Sequence, residues 1–272
     1  MIDLFYGTSQ SFGGFGSPQT WVNILGNVSD PSGVDNLSYR LNGGPSKPLS
    51  IGPDTRRLEY SGDFNIDLHI NDLNNGINTV VITATDNLSN VSQETVTVNY
   101  NAATSWPLPY SIDWSLVSDI QDVAQVVDGA WTLQNGALRI NSSNYGYDRE
   151  VAIGDLAWDD YEITVPVTIH GIDPSGFDPP SNSPAIGIVM RWKGHTDNPV
   201  AGWQPKSGWF PLGVIGWYRW QDMTTGELQL YGNGGSILDI DSTQLQTGVT
   251  YIYKLRVETI PGQGGLYSFK VW

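Results

Sequence analysis

The sequence predicts an all-β protein made of two β-sandwiches in series, and three observations carry that prediction. Short β-branched and aromatic runs alternate apolar with polar residues along most of the chain. Clusters of Gly, Asn, Asp and Pro separate these runs, in a chain with 31 Gly and 16 Pro. No segment carries a convincing helical period. The nearest, Ser115–Val123, is short enough to be a loop with one helical turn.

Charge and composition exclude several functions. The 272 residues hold 28 acidic and 13 basic side chains, a net charge of −15, which repels a phosphate backbone and argues against nucleic acid as a partner. No apolar run reaches the ~20 residues of a membrane-spanning helix. With no Cys, no disulfide can form and stability must come from buried core. The start, Met1-Ile2-Asp3-Leu4, has neither a basic nor an apolar leader region, and the last residues, Leu266–Trp272, stop in the middle of a strand pattern. Both ends, with few Lys and many Asn, Ser, Thr, Trp and Tyr, lead us to expect an excised piece of a longer exported or surface protein.

In the first half, Val80–Thr85, a turn at Asp86–Asn90, and Gln93–Tyr100 with Val96, Val98 and Tyr100 on one face read as a hairpin. Thr20–Leu25, Asn36–Leu41 and Phe64–Ile70 supply further strands, and this density suits a sandwich. Gly33–Gly44 and the run Leu73-x-x-Gly76-x-Asn78 through Ala84-Thr85-Asp86 to Asn90 resemble bacterial immunoglobulin-like domains over about residues 15–101. Ser89 stands where that family usually has Gly. The resemblance implies an immunoglobulin-like spacer over 1–101, followed by a Pro-containing linker over 102–110.

The second half, 111–272, has longer strands: Tyr161–Ile169, Ala185–Trp192, Gly213–Trp220, Glu227–Tyr231, Thr250–Glu258 and Leu266–Trp272. Pro166 denies its strand one ladder bond and predicts an edge or a bulge. Asp128–Trp131, Gly136–Arg139, Trp158–Val165, Ile186–Trp192 and Leu255–Glu258 resemble the concanavalin A-like, laminin G-like jelly-roll superfamily. In that family a further strand normally follows, so the jelly roll is expected to be truncated at its C-terminal end. The family contains lectins, glycan-binding modules, hydrolases and lyases, which implies carbohydrate as the ligand class without choosing an activity.

The densest chemistry lies between Arg191 and Trp220. Trp192, Trp203, Trp209, Trp217 and Trp220 accompany Arg191, Lys193, Lys206 and Arg219, against Asp197 alone. Indole faces stack on the C–H faces of pyranose rings, and Arg or Lys donates to hydroxyls and carboxylates. The expected ligand contacts are Arg191, Trp203, Trp209, Trp217 and Arg219, with Trp192 and Trp220 in the core. If the strands pair in register, Arg191, Trp217 and Arg219 share a face with Gly187 and Val189. The expected function is the non-catalytic carbohydrate-binding or adhesion portion of a larger extracellular or cell-surface bacterial protein. Two alternatives stay open: a polysaccharide lyase or hydrolase, and a structural piece of a surface or fibre assembly. A lyase would draw on His170, His195, Tyr218 and Arg191. No Glu-x-Asp-x-x-Glu strand of the family hydrolases occurs.

Asp-rich turns around Asp30, Asp86, Asp128, Asp159 and Asp239, with the habit of jelly-roll glycan modules, lead us to expect one structural Ca²⁺, its ligands unassigned. The absence of Cys and the wide spacing of His69, His170 and His195 argue against a transition-metal site.

Overall fold

A computed structural model describes residues 1–102, 104–140, 147–179, 183–197 and 204–272. It is all-β, with several small sheets and two compact units. The described residues up to 140, with 147–156 and those of the 194–208 segment, make up the first unit. Those of 157–193 and 209–272 make up the second.

The first unit holds strands β1 (Ile2–Leu4), β2 (Ser9–Phe12), β3 (Trp21–Val28), β4 (Val34–Leu41), β5 (Lys47–Pro48), β6 (Asp63–His69), β7 (Gly76–Asp86), β8 (Val91–Tyr100), β9 (Gln125–Val126), β10 (Trp131–Gln134), β11 (Ala137–Ile140) and β12 (Val151–Ala152). One sheet runs β1-β3-β6 and a second β2-β8-β7-β4-β5, antiparallel except where β2 joins β8 in parallel. The hairpin read from the sequence is β7–β8, with Val80 opposite Val96 and Asn78 opposite Val98. Its turn is held by the Asp86 carboxylate, which accepts from the backbone N–H groups of Leu88 and Asn90. Ser89 takes φ 67, the left-handed conformation that suits the Gly usual there. Val22 and Ile24 of β3, Phe64, Ile66 and Leu68 of β6, Val80 and Ile82 of β7, and Val96 and Val98 of β8 join one apolar core.

Strands β3 and β6 are buried on both faces, and this shapes the first unit. On β6, Phe64, Ile66 and Leu68 enter the apolar core while Asp63, Asn65 and Asp67 point the other way, and all six are buried. The reverse side of β3 places Leu25 in a second apolar cluster with Ile120, Ala124 and Val126, joined by Trp114, Trp131 and Ile153. Residues 111–140 and 147–156, grouped by sequence with the chain that follows them, therefore pack within the first unit.

The second unit holds β13 (Tyr161–Thr168), β14 (Ala185–Met190), β15 (Val214–Trp220), β16 (Gly226–Gly232), β17 (Ser236–Asp241), β18 (Thr250–Ile260) and β19 (Gly264–Val271). They form two antiparallel sheets, β13-β18-β19 and β14-β15-β16-β17. Strand β13 is at an edge, where Pro166 leaves no ladder bond unmade. Alternate residues of both sheets meet in the core: Tyr218 and Trp220 pack in one cluster with Tyr253, and Met190 and Val214 in another with Leu255 and Val257. Gly216 is required here, because a Cβ on it would lie 2.9 Å from the Phe269 ring.

Candidate functional site

Two regions gather chemistry, one in each unit. In the second unit it is the outward face of β14–β17. Strand β15 alternates strictly, with Val214, Gly216, Tyr218 and Trp220 buried and Ile215, Trp217 and Arg219 half-buried on the other side. The register places Trp217 opposite Gly187 of β14 and Gln229 of β16, and Arg219 opposite Ala185 and Glu227. The Trp217 indole Nε1 donates to Gln229 Oε1 at 2.9 Å, and Gln229 Nε2 donates to Glu227 Oε2 at 3.0 Å. Tyr231 packs at 5.3 Å between ring centroids from Trp217, and the Arg219 guanidinium lies 5.6 Å from the indole centroid. Ala185 and Gly187 on β14 are exposed and carry almost no side chain, so a low strip runs beside the Trp217–Arg219 ridge.

The other expected contacts are placed elsewhere in this unit. Arg191 lies past the end of β14 with φ 52, so it does not continue the strand face of Trp217 and Arg219. Its guanidinium donates to the Asp159 carbonyl and the Thr259 hydroxyl, with the Asp160 carboxylate at 3.5 Å. Trp209 is half-buried and stacks on buried Trp192 at 5.0 Å and 28°, and its carbonyl accepts from the Trp192 indole. Trp203 lies outside the described residues. Trp192 and Trp220 are buried.

The sequence singled out two members of the second region, Asp128 in an Asp-rich turn and His195 as a lyase candidate, but did not bring them together or mark Arg57, Asp67 or Glu150. This region is a sealed polar network on the reverse face of β3 and β6, in the first unit. Arg57 is fully buried, and each of its five N–H donors meets an acceptor. Two form a fork on Asp67, at 2.9 and 3.1 Å. Nε donates to Asp128 Oδ1 at 2.5 Å, and the remaining two reach the carbonyls of Lys206 and Val127. Asp128 Oδ1 also accepts from Asn65 Nδ2 at 3.1 Å, and Asp67 accepts from Asn23 and from the Lys206 backbone N–H. The buried imidazole of His195 sets Nε2 at 2.9 Å from Asp128 Oδ2 and 3.6 Å from Glu150 Oε2, with Nδ1 facing the Gly208 carbonyl at 3.3 Å.

Burial acts on these charges in different directions. It lowers the tendency of Arg57 to hold its proton, but Asp128 and Asp67 outweigh it and push the guanidinium further up. Burial also raises Asp128, yet the charge of Arg57 and the bonds to Glu150 and His195 bring it down to about 2. Glu150 is held well above the usual carboxylate range, first by burial and then by the Asp128 charge beside it.

Asp128, Glu150 and His195 each present one donor atom, all within 4.8 Å of one another, a cluster able to coordinate a metal ion. The Ca²⁺ expected from the resemblance fits this set poorly. Calcium takes six to eight oxygens, whereas one donor here is an imidazole nitrogen and Asp128 Oδ1 is already engaged by Arg57.

His195, invoked above for a lyase, is thus walled in, and Tyr218 of the other unit is also buried, its hydroxyl 3.3 Å from Gln244. Neither faces a dissolved polymer. Glu162 and Glu258, on the outward side of β13 and β18, pair with Lys254 and Arg256. A cleft of about 440 Å³ in the first unit, beside Trp21, Tyr39, Lys47, His69 and Lys206, is a second open aromatic surface that the sequence did not mark.

No family model matches this chain, and no curated protein matches it. Among the described residues, no helix is long and apolar enough to cross a membrane. Fold and site together define an all-β chain with a sealed charge network in one unit and an open aromatic face in the other.

Proposed function

We propose that this chain is the carbohydrate-binding or adhesion portion of a larger exported or cell-surface bacterial protein. In this reading the two main sheets of residues 1–101 are an immunoglobulin-type sandwich acting as a spacer, and 102–110 runs on from it. The two sheets of the second unit are a jelly-roll type sandwich presenting the ligand face. The single observation that supports it is the pairing of Trp217 with Arg219 beside exposed Gly187 and Ala185, an indole and a cation edged by open backbone. A sugar ring lying on the strip would meet the indole edge and Tyr231 with its C–H groups. Its hydroxyls would meet Arg219 and Glu227, and a carboxylate would meet Arg219, with buried Gln229 holding Trp217 and Glu227 in place. Trp209 and Arg191 belong to the loops at the end of this surface in the same reading, and Trp203 remains an expected contact outside the described residues.

Titration of the chain with neutral, uronate and sulfated polysaccharides, read by tryptophan fluorescence, tests the reading. The expected result is a saturable shift that Trp217→Ala and Arg219→Ala each weaken by about tenfold, equal to 1.4 kcal/mol. A response that survives both changes and is lost in Trp21→Ala moves the ligand to the cleft of the first unit. No response to any polysaccharide removes the reading.

A further inference from the structure

The sealed network of the first unit leaves one place where its own charges do not balance. Arg57 forks on Asp67 and also donates Nε to Asp128 Oδ1, so one cation serves two anions. A third carboxylate, Glu150, joins Asp128 in facing the imidazole of His195 in a space almost closed to water, with side-chain exposures of 15% for Glu150, 0% for Asp128 and 1% for His195. Buried carboxylates are costly unless a cation or a proton answers them.

The hydrogen bonds show where the answer must sit. The Gly208 carbonyl can only accept, so His195 Nδ1 faces it as a donor. A neutral ring then carries its lone pair on Nε2, 2.9 Å from Asp128 Oδ2, which is also an acceptor. Two acceptors at that distance require something positive between them. Glu150 Oε2 closes the third side, and it is buried and receives no hydrogen bond. The far atoms of the set are meanwhile held in place: Asp128 Oδ1 by Arg57 and Asn65, and His195 Nδ1 by the backbone. Inward lone pairs with outward atoms fixed by a second layer of bonds is the arrangement that metal ligands need.

We propose that Asp128 Oδ2, Glu150 Oε2 and His195 Nε2 form a site for a divalent transition ion of the Zn²⁺ class. The ion's two positive charges offset the two carboxylates. One nitrogen and two oxygens suit Zn²⁺ and its neighbours in the first transition row, and not Ca²⁺. A fourth donor would be a water reaching the ion past Glu150, the most exposed of the three. The scarcity of His and the absence of Cys do not oppose such a site, since one imidazole suffices when two carboxylates converge on it. The inference goes beyond the glycan reading and does not depend on it.

The test uses the full chain, first as purified and then after stripping with a chelator. Bound metal is counted by mass spectrometry after gel filtration with Zn²⁺, Co²⁺ or Ca²⁺. The expected result is about one Zn²⁺ per chain with a raised melting temperature, a visible Co²⁺ absorption band, and no effect of millimolar Ca²⁺. Glu150→Gln keeps the side-chain shape and should weaken Zn²⁺ and Co²⁺ binding by at least about tenfold, with an unchanged circular dichroism spectrum. His195→Gln should shift or abolish the Co²⁺ band. Failure of the folded, stripped chain to take up stoichiometric Zn²⁺ overturns the proposal, because protons alone would then balance the cluster. Uptake unchanged by Glu150→Gln and His195→Gln also overturns it, because the ion would then sit elsewhere.

Discussion

The reverse face of β6 and the outward face of β15 occupy the same place in a strand and end in opposite states. Both strands send alternate residues into an apolar core and the intervening residues to the other side. On β6 the second set, Asp63, Asn65 and Asp67, is as buried as the first. On β15 the second set, Ile215, Trp217 and Arg219, stays partly open. Alternation tells which residues share a side. It does not tell whether another segment covers that side. Coverage changes the chemistry: the Arg57 guanidinium spends all five donors inside the protein, whereas Arg219 rests over an indole at a surface.

The largest expected effect comes from opening the sealed side. Arg57→Leu leaves Asp67 and Asp128 buried without their cation, and should cost about 3–5 kcal/mol. Chemical denaturation measures it, and a cost under about 1 kcal/mol would mean that the network is wetter than its geometry shows. Next comes the contrast within β15. Trp220→Ala empties a core position and should cost about 3–5 kcal/mol. Trp217→Ala, one residue class away on the open face, should cost about 1–2 kcal/mol. Equal melting temperatures for the two variants would erase the distinction between the faces. The smallest effect belongs to β17, the edge strand, where Ile237, Leu238 and Ile240 are 45, 61 and 52% exposed. Ile240→Lys should change stability by no more than about 0.5 kcal/mol. It should reduce any self-association seen by light scattering at high concentration, since a charge blunts an apolar edge.

Much of the scaffold was legible. The β7–β8 hairpin, its Asp86 turn, the edge position of β13 and the division of Trp220 from Trp217 follow from alternation and turn chemistry, which are local. The charge network was not legible, because nothing local marks it. Arg57 sits in a turn, Asp128 before a Gly, Glu150 beside Arg149, and His195 in a Gly-flanked loop, each with an ordinary surface reading. Their meeting depends on which segments close over β3 and β6, a matter of tertiary packing. The expected common face of Arg191 with Trp217 assumed that β14 runs on through Arg191. The positive φ there ends the strand and hands the guanidinium to Asp159 and Thr259.

The first unit is discontinuous: the chain leaves it after Leu156 and returns at Gly194 to deliver His195 and the backbone of Lys206. On the ribosome, Arg57 and Asp128 are therefore made long before their last partners exist, and the early strands must wait with that pocket unfinished. A gene fragment ending at residue 156 would encode every described strand of this unit and still yield a protein with an open wound at its charged centre.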